Sequence, residues 1–256
     1  HLKTQDPQHT VIMVQVENEI GMIPEPRDRS AEANRLFAGP VPAALMDYLT
    51  RHRSSLAPEL QATWTAAGGR TSGTWAEVFG TTPAGEEIFM AWFFATFTQA
   101  VAAAGKAELA LPMFANAALI RPSYQPGQYP SAGPLPHLID VWRAAAPALD
   151  FLAPDIYFPN FMHWSRLYTR SGNPLFVPEA LRSPEAAVNV LYAFGAHDAI
   201  GFCPFAIESN TEPAAGYLAA SYDLVRQLTP LLVENQGKGL TAGLLQESPD
   251  NRQPLQ

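Results

Sequence analysis

An α/β fold built on a parallel sheet, read as units four to eight of a (β/α)8 TIM barrel, is what this sequence predicts. Three observations carry that expectation. Short apolar, β-branched runs alternate with helical stretches, the pattern of parallel strands covered by helices. Each run closes on a polar side chain: Glu19, Asn116, Tyr157, Glu179 and Glu208 in order. Five such units are visible where a closed barrel needs eight, and the opening text HLKTQDPQHT runs straight into the first strand as if from mid-protein. The first three units are therefore expected upstream, an open doubly wound sheet being the alternative. Residues 1–236 are read as the C-terminal part of the barrel, and residues 237–256 as a linker or the start of a following domain. A piece holding only those units is expected to expose sheet edges and apolar helix faces, and to be poorly soluble and inactive alone.

The elements follow in order. Residues 11–21 (VIMVQVENEIG) begin with a β-branched run suited to a strand buried on both faces, then turn polar before Gly21. Residues 22–30 form a Pro- and charge-rich loop. Residues 41–52 (VPAALMDYLTRH) carry apolar positions at helical spacing behind Pro40 and Pro42. Residues 68–80 (GGRTSGTWAEVFG) are a polar loop whose Trp75 and Phe79 either stack on a sugar or anchor the loop to the core. Residues 86–105 are the longest helix, with two acids at its start and a glycine at its end. Residues 109–115 (LALPMFA) form a second strand stopping at Asn116. The Pro-rich loop at 120–136, with Tyr124 and Tyr129, is a lid or a packed excursion. Helices at 138–146, 161–171, 184–196 and 217–234 alternate with strands at 151–157 (FLAPDIY), 174–180 (PLFVPEA) and 199–207 (AIGFCPFAI).

Composition narrows the chemistry. A net charge of -8 disfavours nucleic acid and anionic membrane surfaces, which need a basic footprint. No uninterrupted apolar run of membrane length is present, so no membrane insertion is expected. The six histidines form no HxH or HExxH spacing, and no glycine-rich phosphate loop occurs, so neither a metal nor an organic cofactor is expected. The lone Cys203 leaves the redox compartment unread. The GxSxG elbow of an esterase is missing too.

Carboxylates at the mouths of apolar strands are costly to desolvate. Any strand end tends to be polar, so each residue alone says little; five at one rim, where parallel barrels place their active sites, say more. Glu179 is the most informative, because it emerges from Leu175–Pro178 with no basic neighbour in the chain. Two glutamates on different strands make the pair a glycosidase uses, one protonating the glycosidic oxygen and the other attacking the anomeric carbon. Asn18 suits the sugar 2-hydroxyl, and Tyr157 suits a hydrogen bond to Glu179. Strict alternation sets Asn18 and Glu19 on opposite faces. Both reach one site only where the strand ends or bulges, and Gly21 supplies the break.

VQVENEIG, and LFVPEA 160 residues later, resemble the acid/base and nucleophile strands of glycoside hydrolase family 35, the β-galactosidases. TSGTWAEVFG and DIYFPNF are similar to its bacterial branch. The resemblance implies a retaining (β/α)8 enzyme with Glu19 as acid/base on strand four, Asn18 as sugar ligand and Glu179 as nucleophile on strand seven. It further implies a hydrolase of oligosaccharides, or of polysaccharide side chains, ending in β-galactose, in a periplasmic or secreted setting. Ile20 stands where the family more often has tyrosine, a change in the galactose pocket. Asn116 and Tyr157 are expected as substrate-binding residues from their strand-end positions. A family 42-like β-galactosidase or arabinosidase is the near alternative, and a non-catalytic carbohydrate-binding barrel the distant one.

Overall fold

Five parallel strands in an α/β arrangement follow one another in one sheet as they do in the chain, β1-β2-β3-β4-β5, in a computed structural model that describes residues 2–247. The chain divides into two units, the first ending at Leu152 and the second beginning at Ala153.

Unit one holds α1 (Leu2–Gln5), β1 (Val14–Gln15), α2 (Ala31–Phe37), α3 (Ala43–Arg51), α4 (Pro58–Ala66), α5 (Trp75–Phe79), α6 (Pro83–Glu108), β2 (Met113–Ala118), α7 (Ile139–Ala145) and the first residues of β3 (Phe151–Ile156). β1 is far shorter than the apolar run suggested. Val14 pairs with Met113 and Gln15 with Phe114, and Val16 is buried while Ile12 is 67% exposed. The run is thus not buried on both faces. β1 ends the sheet order among the described residues, and an edge strand has a neighbour on one side only.

β2 continues through Asn116 instead of stopping there. The small residues Ala115, Ala117 and Ala118 let the strand run on, and the amide is buried at 1% exposure. Trp75 and Phe79 anchor the core. Thr74 caps α5 in a reciprocal box with Glu77, and the Trp75 ring meets Phe89 edge-on at 5.2 Å. Both aromatics are buried, so the sugar-stacking option for that stretch falls away.

α6 starts on Thr82, whose hydroxyl accepts from the Gly85 amide, and ends at Glu108 rather than at Gly105. Gly105 serves packing instead of capping: a β-carbon there would lie 2.7 Å from the Met113 methyl. No apolar run of membrane length stands out in the sequence, yet by length and composition α6 is long and apolar enough to cross a bilayer, with mean hydropathy 1.5 over its best window. It buries Ile88, Phe89, Ala91, Ala95 and Ala102 inside the protein, as the core helix of a globular unit does. The Pro-rich loop is a packed excursion, with Tyr129, Ser131, Ala132 and Leu135 buried. α2 and α4 were not anticipated. α4 buries only Leu60 and Trp64, too few positions to write a periodic signal.

Unit two carries the rest of β3, then α8 (Phe161–Tyr168), β4 (Phe176–Ala180), α9 (Ala186–His197), β5 (Gly201–Pro204) and α10 (Ala214–Asn235). Asp155 pairs with Glu179 and Ile156 with Ala180. On its other side β4 pairs Val177 with Phe202 and Ala180 with Pro204, with a register shift between. That irregularity falls on Pro178, which has no N–H to give a ladder. β5 stops at Pro204, and Glu208 lies beyond it, exposed in the single turn Ile207–Ser209.

Residues 237–247 lie against α9. Asp198 accepts from the Gly237 amide and the Thr241 hydroxyl at 3.0 Å each, and a side chain at Gly243 would strike Ala196. Residues 248–256, the remainder of the stretch read as a linker or further domain, lie outside the described residues.

His197, at the end of α9, sets a pH dependence. Burial, and then the Arg166 charge, hold its imidazole below the ordinary value of 6.5, with Asp198 opposing; its Nε2 is buried without a partner and its ring packs on Tyr192. The folded state therefore favours the neutral ring. Its stability is fully present above about pH 6.5 and falls as pH drops through that value toward the lowered one. Thermal melts between pH 8 and pH 5 should show that loss, and His197→Gln should flatten the slope.

Candidate active site

Each unit contributes its own cluster. In unit one, Val16 donates its amide to the Phe114 carbonyl at 2.8 Å, and the ladder ends there. The next residues leave extended geometry: Glu17 has φ +63 and Glu19 φ +48. Left-handed backbone at a non-glycine residue costs about 1–3 kcal/mol and collects at functional sites. Because the strand has ended, its alternation no longer separates Asn18 from Glu19.

Asn116 ties the two together. Its Oδ1 accepts from the Glu19 amide at 3.0 Å, and its Nδ2 donates to Asn18 Oδ1 at 3.3 Å. Gln15 Nε2 donates to the same Asn18 oxygen at 2.9 Å. A buried amide reaching out of β2 thus fixes both the backbone that carries Glu19 and the side chain beside it. Asn18 is exposed and Glu19 half-buried, as groups that meet a ligand must be.

In unit two, the Tyr157 hydroxyl donates to Glu179 Oε2 at 2.7 Å, a length typical of a charge-assisted bond. The register shift after Val177 lies just before Glu179, where a bulge re-aims a side chain. Asp155, buried at 2% exposure, is the register partner of Glu179, and their carboxylate oxygens approach within 4.8 Å. As hard oxygen donors these two are able to hold a cation, although such ions take six or more oxygens.

Two residues of this cluster escaped the sequence. Asp155 shares a face with Tyr157 by two-residue spacing, a signal that was available inside FLAPDIY. Phe205 donates its amide to the Ala180 carbonyl at 3.0 Å. Its ring is 56% exposed and stands edge-on to Tyr157 at 6.4 Å. It is an open aromatic beside the Tyr157–Glu179 bond. A cleft of about 350 Å³ also opens beside Tyr157, walled by Phe158, Phe161, Leu181 and Val188 with Asn189 among its polar groups.

Of the sequence-predicted residues, then, Asn18, Glu19 and Asn116 come together in unit one, and Tyr157 and Glu179 in unit two. Trp75 is core, and Glu208 sits in an exposed turn. A scan against protein-family models finds no match to this chain, and a search of curated proteins finds none either.

Proposed function

We propose that the chain carries the catalytic carboxylates of a retaining glycosidase, with Glu19 as acid/base and Glu179 as nucleophile. The particular activity we assign is that of an exo-β-galactosidase of the family 35 type. The single observation that carries the reading is the short Tyr157–Glu179 bond at the end of β4. A phenol that donates to one carboxylate oxygen stabilises the anion and leaves the second oxygen for attack.

In the reaction, Glu179 attacks the anomeric carbon while Glu19 gives its proton to the departing oxygen. Glu19 then takes a proton from the water that displaces the glycosyl ester. Retention requires the two carboxyl groups about 5–5.5 Å apart. Asn18, held by Gln15 and Asn116, is assigned to the sugar 2-hydroxyl, a contact that strengthens in the transition state. Phe205 offers a ring face to the sugar, and neutral sugar substrates suit a chain of net charge -8. The closed eight-stranded barrel and the numbering of the strands as four to eight belong to the same proposal.

The test is proton NMR of aryl β-galactoside hydrolysis by the intact natural protein. First-formed β-galactose supports the reading, α-galactose replaces retention by inversion, and no turnover of any aryl glycoside sinks it. Tyr157→Phe should lower kcat/KM about tenfold to a hundredfold, the loss expected for one hydrogen bond to a charged group of about 1.5–3 kcal/mol. Steady-state kinetics on the purified variant check it.

A further inference from the structure

Glu87 is a buried acid on α6 that the proposed chemistry does not use. It is 1% exposed. Its carboxylate accepts from the Tyr129 hydroxyl at 3.0 and 3.2 Å and from the Ala132 amide at 3.0 Å. It also meets His137 Nε2 at 2.7 Å. Burial first, and then the carboxylate, push the Tyr129 phenol far above its ordinary value, so it remains a donor. Ala132 itself is left-handed, at φ +68, and its carbonyl accepts from the Trp142 indole at 3.1 Å.

This network grips the loop that grips the Glu19 turn. Ser131 and Met22 exchange both backbone hydrogen bonds, at 2.9 and 3.0 Å. A side chain at Gly133 would run into the Ile20 carbonyl, and one at Gly21 would strike Pro130. Residues 130–133 and 20–22 therefore lie backbone against backbone directly after Glu19. Asn116 holds the Glu19 amide from one side, and this loop holds the following residues from the other.

We propose that Glu87 is a positioning residue for Glu19, acting through Tyr129, Ala132 and the Ser131–Met22 bridge to hold the left-handed turn that presents the acid. The role of Glu19 as the acid rests on the function proposed above; the hold on the turn does not. Glu87→Gln keeps the volume but sets an NH2 group against donors. Tyr129→Phe removes one donor and leaves the carboxylate its other two partners.

Two readouts, in the intact natural protein, test this. Hydrogen exchange at the Met22 and Ala132 amides should quicken in Glu87→Gln, and less in Tyr129→Phe. Turnover of alkyl galactosides, which need a placed acid, should fall about tenfold to a hundredfold. Turnover of 2,4-dinitrophenyl galactoside, whose leaving group needs little protonation, should fall far less. A merely destabilised unit, represented by Leu49→Ala in the core, lowers both substrates alike. Unchanged exchange at Met22 in Glu87→Gln overturns the proposal, as does an equal loss on the two substrates. A wild-type protein without galactoside turnover overturns the galactosidase reading instead, and exchange at Met22 still decides whether Glu87 holds the turn.

Discussion

Glu179→Gln is expected to reduce turnover by about four to six orders of magnitude, the scale at which removing a covalent nucleophile acts. The substitution keeps the side-chain volume and a carbonyl oxygen for the Tyr157 hydroxyl, which donates at 2.7 Å, so the fold should persist and the melting temperature should hardly move. What is lost is the negative oxygen that forms the bond to the anomeric carbon; an amide does not replace it. A complementary result comes from 2-deoxy-2-fluorogalactosyl fluoride, whose first step expels fluoride and whose second step is slow. Intact-mass spectrometry should then show one fluorosugar per chain, and peptide mapping should place it on Glu179. Label on Asp155, its cross-strand partner, would transfer the nucleophile to the neighbouring strand, and no label would remove the double displacement altogether.

The legible part of this molecule is local. An apolar run that turns polar is a short-range pattern, and it led to Glu19, Tyr157 and Glu179 because one strand end suffices to display it. The alternation of strands and helices likewise survives in β2 through β5, with ends displaced by a few residues. What went astray depends on neighbours far along the chain. The edge position of β1 leaves Ile12 exposed, and hydrophobicity in a single run carries no record of which side has a partner. Asn116 was the right residue in the wrong setting. It was read as the end of its strand, whereas it lies inside β2 and is satisfied by partners almost a hundred residues away. Glu86 and Glu87 were read as acids favoured by a helix start, yet both are buried. Glu86 meets Arg27 and Arg29, and Glu87 meets groups more than forty residues on. Asp155 and Phe205 join the Tyr157–Glu179 cluster through strand register and the β5 turn. One miss had a local signal. The T-x-x-E box at Thr74 and Glu77 announces a helix start, and that helix carries Trp75 and Phe79 into the core.

Glu19→Ala should separate the two steps of the reaction, because an acid/base residue serves each in a different way. General acid catalysis contributes about 10²–10⁴-fold, and all of it matters when the leaving group is a sugar or an alkyl alcohol. Those substrates should lose activity on that scale. A 2,4-dinitrophenyl galactoside needs almost no proton to depart, so Glu179 should still form the glycosyl ester at a near-normal rate. Hydrolysis of that ester lacks its general base, the intermediate accumulates, and KM should fall together with kcat. Azide, an anion that needs no deprotonation, should then attack the anomeric carbon, break the ester to Glu179 and restore turnover with β-galactosyl azide as product. Asn116, which holds the Glu19 backbone, provides the contrast: Asn116→Ala should weaken both steps without azide rescue, since the carboxylate is displaced but still blocks the anion. Rescue in Glu19→Ala with a β-configured azide product assigns the acid/base role to Glu19. Equal loss on all leaving groups, with no azide product, assigns Glu19 to holding the turn and requires the proton donor to be another residue.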